Sequence, residues 1–203
     1  MPVFARFKNF GGPNDAVFVT TNILGFKPVF RNPLLADLMT GSLLDDCRYY
    51  GAPLHAFVTM PDHIHFLCQV PLGTSVDWLL DRIKSNSAKR ILPRLSDSDR
   101  RELACYAGSA NRAFWLKGYR AHVVNSDKPF FDSMEYIHFN PVCKGLSAMP
   151  EDYVWSSASL IIGGQWDPDG GIGIDDDLIA KYCEPAALKF TSGREEPSDD
   201  GLA

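Results

Sequence analysis

Cysteine is scarce in this chain. The five residues (Cys47, Cys68, Cys105, Cys143 and Cys183) are odd in number, far apart, and form no Cys-x-x-Cys pair. That argues against both a disulfide framework and a zinc knuckle, and suits a reducing cytoplasm. No apolar run is long enough to span a membrane, and Met1-Pro2-Val3-Phe4-Ala5-Arg6 lacks the apolar core of a signal peptide. The expectation is a cytoplasmic protein with no membrane partner. There is no internal repeat.

Net charge is small as well, at -5, but it is unevenly placed. Residues 167–203 hold ten of the 25 acidic residues and three of the 20 basic ones, so the acidity belongs to a tail. Residues 1–166 carry a mild basic excess, which leaves a nucleic-acid partner open. With 45% hydrophobic and 22% charged residues in 203 positions, the composition is that of one globular domain with extensions. The expected division is a domain over 1–160 and an acidic extension over 161–203, partly disordered, with a short helix over 175–190.

The order of elements can be read along the chain. Ala16 to Thr21 is β-branched and aromatic, a first strand. Asn32-Pro33 opens a helix with Leu34, Leu35, Leu38, Leu43 and Leu44 on its core face, ended by Gly51. Two strands follow, Leu54 to Thr59 and His63 to Val70. Thr74 or Ser75 then caps a second helix, Val76 to about Leu92, with Trp78, Leu79, Ile83 and Ile91 as an apolar stripe. A polar excursion over 93–112 carries a short helix, and 113–124 supplies the remaining strand. Ser126-Asp127 caps a third helix, which stops near Asn140-Pro141. Strand, helix, strand, strand, helix, strand is the order of an α+β, ferredoxin-like fold: an antiparallel sheet with helices on one side.

Chemistry concentrates in two stretches. In Met60-Pro61-Asp62-His63-Ile64-His65-Phe66-Leu67 the period of two puts His63 and His65 on one strand face and Ile64 on the other. Such a pair can be a hydrogen-bonded polar face or two ligands of a divalent metal. Two ligands leave a coordination sphere incomplete. The third helix holds Tyr136 and Asn140 four residues apart, hence on one face. Packed against the sheet, it can offer the Asn140 carboxamide oxygen as a third ligand and hold Tyr136 over the same ion.

His63-Ile64-His65 has the His-hydrophobe-His form of the HUH endonucleases. Tyr136-Ile137-His138-Phe139-Asn140-Pro141-Val142, then Gly145-Leu146 and Tyr153-Val154-Trp155-Ser156-Ser157, resembles the REP-associated tyrosine transposases, a branch of the single-tyrosine HUH transposases. Trp115-Leu116-Lys117-Gly118-Tyr119 fits the segment those proteins carry before the tyrosine helix. The resemblance runs from about Ala16 to Ser157, with the motifs in the family's order. It implies a ferredoxin-like fold that cleaves and rejoins single-stranded DNA at hairpin-forming repeats, as a monomer or homodimer. It also implies Tyr136 as nucleophile, His63 and His65 as ligands of Mg2+ or Mn2+, and Asn140 as the third ligand, where other branches place glutamine. His138 lies about 200° round the helix from Tyr136 and is expected to make a structural or DNA contact.

An ordinary phenol ionises near pH 10, so a neighbouring cation helps it act as a nucleophile and also polarises the phosphate. Arg82, Lys84, Lys89 and Arg90 form a basic helix face, either solvated or bound to DNA. Arg112, Lys117 and Arg120 lie on the approach to the tyrosine helix and suit phosphate contacts. Trp78, Phe114, Trp115 and Tyr119 serve as core or stack on unpaired bases. Two other readings compete: a catalytically silent DNA-binding protein on the same fold, and a metal-dependent phosphoesterase using His-x-His.

Overall fold

A computed structural model of the chain describes residues 11–107 and 113–161. The expected acidic extension, the helix over 175–190, Cys183 and Arg112 lie outside the described residues. Four strands, β1 (Ala16–Asn22), β2 (Leu54–Thr59), β3 (His63–Gln69) and β4 (Arg120–Val123), form one sheet in the order β2-β3-β1-β4. Every pairing is antiparallel. Helices α1 (Pro33–Tyr50) and α2 (Val76–Ile91) complete the ferredoxin-like unit.

Local chemistry sets the ends. The Asn32 side chain accepts the Leu34 N–H at 3.1 Å, Pro33 opens α1, and Gly51 closes it at φ 65°, a conformation natural to glycine. Ser75 caps α2 by accepting from the Trp78 N–H. The turn joining β2 to β3 is Pro61-Asp62, closed by Met60 N–H on the His63 carbonyl at 2.9 Å. Its own carbonyls accept from Phe30 and Ile23, so the turn ahead of the histidines is pinned on both sides.

Alternation splits the strands cleanly. Val17, Val19 and Thr21 stand opposite Cys68, Phe66 and Ile64 in the register, and all six are buried. Thr59 lies opposite Ile64 and bonds the Thr40 hydroxyl of α1 at 2.9 Å, which places α1 on that face. Leu35, Met39 and Leu43 of α1, with Leu79, Leu80 and Ile83 of α2, complete the core there. The other face carries Phe18, Thr20, His63 and His65, and Arg120 and His122 follow because they pair with Thr20 and Phe18.

Helix α4 (Asp127–Cys143) lies across this second face. The two helices expected on one side are there; the tyrosine helix takes the other. Helix α3 (Asp97–Ala107) fills the excursion before β4, and α5 (Ser157–Ile161) follows the tyrosine helix.

Several boundaries differ from the sequence expectation. Helix α4 does not stop at Asn140: it continues through Pro141 to Cys143. Proline costs one backbone donor there, in the last turn. The end is then sealed by Leu146 N–H on the Pro141 carbonyl and Gly145 N–H on that of Val142, with Gly145 at φ 66°. Ser126 adopts extended backbone ahead of α4 but makes no side-chain cap bond. The strand material of 113–124 contracts to four residues, with Trp115 making one bridge to Ile23. Trp78 and Leu34 leave the apolar stripes for the surface.

The segment over 153–157 packs back as expected and covers the outer edge of β2. Thr59 N–H bonds the Trp155 carbonyl at 2.8 Å, and Ser156 bridges Val58. The Ser157 hydroxyl accepts the Phe57 N–H at 2.9 Å and pairs with His138 Nε2 at 2.7 Å. That contact ties α4 to the sheet edge.

Candidate active site

Strand β3 delivers the two histidines side by side, their ring centroids 4.6 Å apart. Each ring is fixed through its Nδ1. Asp62 Oδ1 lies 2.6 Å from His63 Nδ1, and Thr20 Oγ1 lies 2.8 Å from His65 Nδ1. Thr20 stands opposite His65 in the register, so the sheet itself supplies this second partner. Partners of this kind set tautomer and ring orientation in metal-ligating histidines. With both protons on Nδ1, both Nε2 lone pairs converge.

The two Nε2 atoms are 3.0 Å apart. Lone pairs at that distance repel unless a proton or a cation lies between them. Neighbouring positions on an octahedral ion with metal–nitrogen bonds of about 2.1 Å are about 3.0 Å apart, so the pair fits such an ion. Burial, and then the adjacent His63, lower the His65 pKa to about 3. The imidazole therefore stays neutral at ordinary pH, as a ligand must.

Helix α4 brings Tyr136 over this pair. Its ring centroid is 5.3 Å from His65 and 5.8 Å from Phe18, in both cases edge to face. The side chain is 52% exposed although it sits on a packed helix. The buried side of α4 is made by Met134, Ile137 and His138 instead. Tyr136 is therefore not a core aromatic.

Asn140, one turn further on, is buried, and its Oδ1 has no hydrogen-bond partner. An unpartnered buried carboxamide oxygen costs free energy that a bound cation would recover. Among the described residues no three His, Cys, Asp or Glu side chains cluster as a metal cage. Asn140 lies one turn along α4 from Tyr136, whose ring meets His65, so two imidazoles and a carboxamide are the candidate donors here. Imidazole nitrogens and a carbonyl-type oxygen are donors that a divalent cation accepts, the oxygen suiting the harder ions.

The basic residues singled out in the sequence do not all converge. Arg120 is exposed on the Tyr136 face of the sheet, and Lys117 is exposed in the loop before β4. Arg82, Lys84, Lys89 and Arg90 are on α2, behind the sheet. Lys84 donates to the carbonyls of Leu116 and Gly118 at 2.9 and 2.8 Å, holding that loop against α2. Of the aromatics, Phe114 and Trp115 are buried and Tyr119 is half-buried against the core, while Trp78 is on the surface. His138 is fully buried, its pKa lowered to about 3 by that burial, and its Nε2 is engaged by the Ser157 hydroxyl, away from the Tyr136 side.

Sequence reasoning missed Thr20, Phe18 and His122. The His122 ring is 5.0 Å from Phe18, which in turn touches His65 and Tyr136. Only the β1–β3 and β1–β4 registers bring these side chains together, and no local spacing announces them.

The sequence model described as "Transposase IS200 like" matches residues 27–140, more than half of the chain. The chain belongs to the IS200-like transposase family. The matched span includes His63, His65, Tyr136 and Asn140. A candidate REP-associated tyrosine transposase of Haemophilus influenzae is 26% identical over 111 residues, 55% of this chain. That match spans 61% of the relative's length. The solved structure of a REP-associated tyrosine transposase bound to a REP hairpin overlays with a TM-score of 0.60 at 16% identity. It covers 96% of this chain and 100% of that one, and so shares the fold of this IS200-like protein. A candidate transposase from Deinococcus radiodurans covers 68% of this chain and 95% of its own, with 18% identity and a TM-score of 0.46. Among the described residues no helix is long and apolar enough to cross a membrane.

Proposed function

We propose that the chain is a metal-dependent single-stranded DNA endonuclease and transposase, working through a 5′-phosphotyrosine link at hairpin-forming repeats. The observation that carries this reading is the half-exposed Tyr136 ring held edge-on to His65, whose Nε2 is 3.0 Å from that of His63. His63, His65 and Asn140 would hold one divalent cation. When bound, that cation supplies charge that polarises the scissile phosphate and favours the phenolate. The rest of the chemistry belongs to the chain. Tyr136 Oη attacks phosphorus in line and gives up its proton to solvent. The bond to the 3′-oxygen breaks, and that oxygen leaves as a 3′-hydroxyl after taking a proton. The phosphodiester energy is kept, so attack by another 3′-hydroxyl rejoins DNA without ATP.

Asp62 and Thr20 orient the two imidazoles, and Arg120 on the same face suits a strand phosphate, as does Lys117 nearby. A hairpin as the DNA partner is supported by the REP hairpin in the similar solved structure. Residues 1–160 are taken as the catalytic unit and 161–203 as an acidic appendage, in a cytoplasmic protein. The test is incubation with labelled single-stranded hairpin DNA from beside the gene, with and without Mn2+, on a denaturing gel. A covalent band that disappears in Tyr136→Phe and without metal supports the proposal. DNA binding without any covalent band, across several flanking hairpins, favours a silent binding protein. Phosphoesterase activity surviving Tyr136→Phe favours a metal hydrolase.

A further inference from the structure

The basic face of α2 is left over by this site, because α2 covers the far side of the sheet. Together with the last turns of α1 it borders a groove of about 720 Å³. Tyr49, on the rim, is 81% exposed and so contributes little to the core. Its ring meets Tyr50 edge to face at 5.0 Å, and Tyr50 meets Trp78 in the same way at 5.1 Å. The Arg82 guanidinium sits over Trp78, 5.6 Å from the ring centroid.

The groove also carries a hydrogen-bonding floor. Asn86 Nδ2 donates to Asp46 Oδ1 at 2.9 Å and to the Tyr50 hydroxyl at 3.2 Å. Asp46 is 5% exposed, and its other oxygen has no partner. Lys89 and Arg90 form part of the lining. Arg90 is paired with Asp45 at 2.7 Å, both side chains being well exposed, and such a pair holds the guanidinium only weakly. Exposed aromatic rings beside cations, over a polar floor, match the requirements of an unpaired nucleotide. The base stacks without regard to sequence and the phosphates meet positive charge.

We infer that this groove is a second contact for single-stranded DNA, in which an unpaired base stacks on Tyr49 and its flanking phosphates lie along Lys89 and Arg90. The inference rests on the nuclease reading above and adds to it a route for the strand beyond the cleavage point. Sheet and helix layers are about 10 Å apart, so the two contacts are separated by about 20 Å of protein or more. At about 3.4 Å per stacked nucleotide, a strand must extend more than about six nucleotides past Tyr136 to engage both. Short strands therefore ignore the groove and long ones use it.

The test compares hairpin substrates whose single strands run about 3 and about 30 nucleotides past the cleavage point, bound by the full chain and by Tyr49→Ala and Tyr49→Phe. Binding is read by fluorescence anisotropy and cleavage by the covalent adduct. Tyr49→Ala should weaken the long strand about ten-fold and leave the short strand, its adduct and the thermal midpoint unchanged. Tyr49→Phe, which keeps the ring, should bind like the unsubstituted protein. Unchanged long-strand affinity in Tyr49→Ala overturns the groove contact, and so does an equal loss on both lengths. Absence of any adduct with the unsubstituted protein instead overturns the nuclease reading, and this inference falls with it.

Discussion

The two faces of the sheet are made by the same strands, and both bury apolar residues, but only one gathers ionisable and polar side chains. On one, Val17, Val19, Ile64 and Phe66 are fully buried under α1 and α2. On the other, Thr20, His63, His65, Arg120 and His122 face a single helix, and Tyr136 on that helix remains half exposed. Ile64 and His65 are neighbours in sequence and belong to different environments. Period-two geometry lets β3 turn Ile64 and Phe66 to one face and the two imidazoles to the other. Leu67 and Val58, fully buried on the histidine face, pack that side as well.

Substitutions on the two faces should therefore fail in different ways. Phe66→Ala removes a fully buried ring. It should cost about 3–5 kcal/mol, a large share of a typical domain's stability, seen as a lowered denaturation midpoint. His138→Ala lies between the faces: it removes the partner of Ser157 at the β2 edge. A loss of about 2–3 kcal/mol in chemical denaturation is expected, with adduct formation retained wherever the protein is folded.

Asn140→Ala should separate stability from chemistry most sharply. Its carboxamide oxygen is buried without a partner, so denaturation should change little. Mn2+ affinity measured by titration calorimetry should fall about 10–100-fold. Smaller still is the expected effect of Thr20→Val, which removes only the hydroxyl at His65 Nδ1. It should weaken Mn2+ binding about ten-fold at unchanged stability, the low end for a supporting contact. Equal losses of stability and metal affinity in Asn140→Ala would mean that the two faces are not separable.

Much of this arrangement is legible in the amino-acid sequence alone. The β2 and β3 limits follow from Pro61-Asp62 and from β-branched runs, and α1 from Asn32-Pro33 and Gly51, because those signals act within a few residues. His63, His65 and Tyr136 are legible through motifs held in order along the chain. What cannot be read there depends on registers and docking across long separations. Thr20 meets His65 only through the β1–β3 pairing, 45 residues apart. The α2 cations look like a DNA-binding face in sequence, but only the side on which α2 packs shows that they lie behind the sheet from Tyr136. Pro141 signals a helix end locally, yet the Gly145 turn satisfies the carbonyls one turn later and the helix runs on.

The polar face of the sheet is proposed as a tyrosine nuclease site. It is tested most directly by recovering the covalent species formed with hairpin DNA and Mn2+, digesting it, and mapping the modified peptide by mass spectrometry. One nucleotide-bearing peptide is expected, modified through a 5′-phosphate on Tyr136 and absent from the His63→Ala, His65→Ala double variant. Modification at another residue, or at Tyr136 undiminished in the double variant, would contradict the claim.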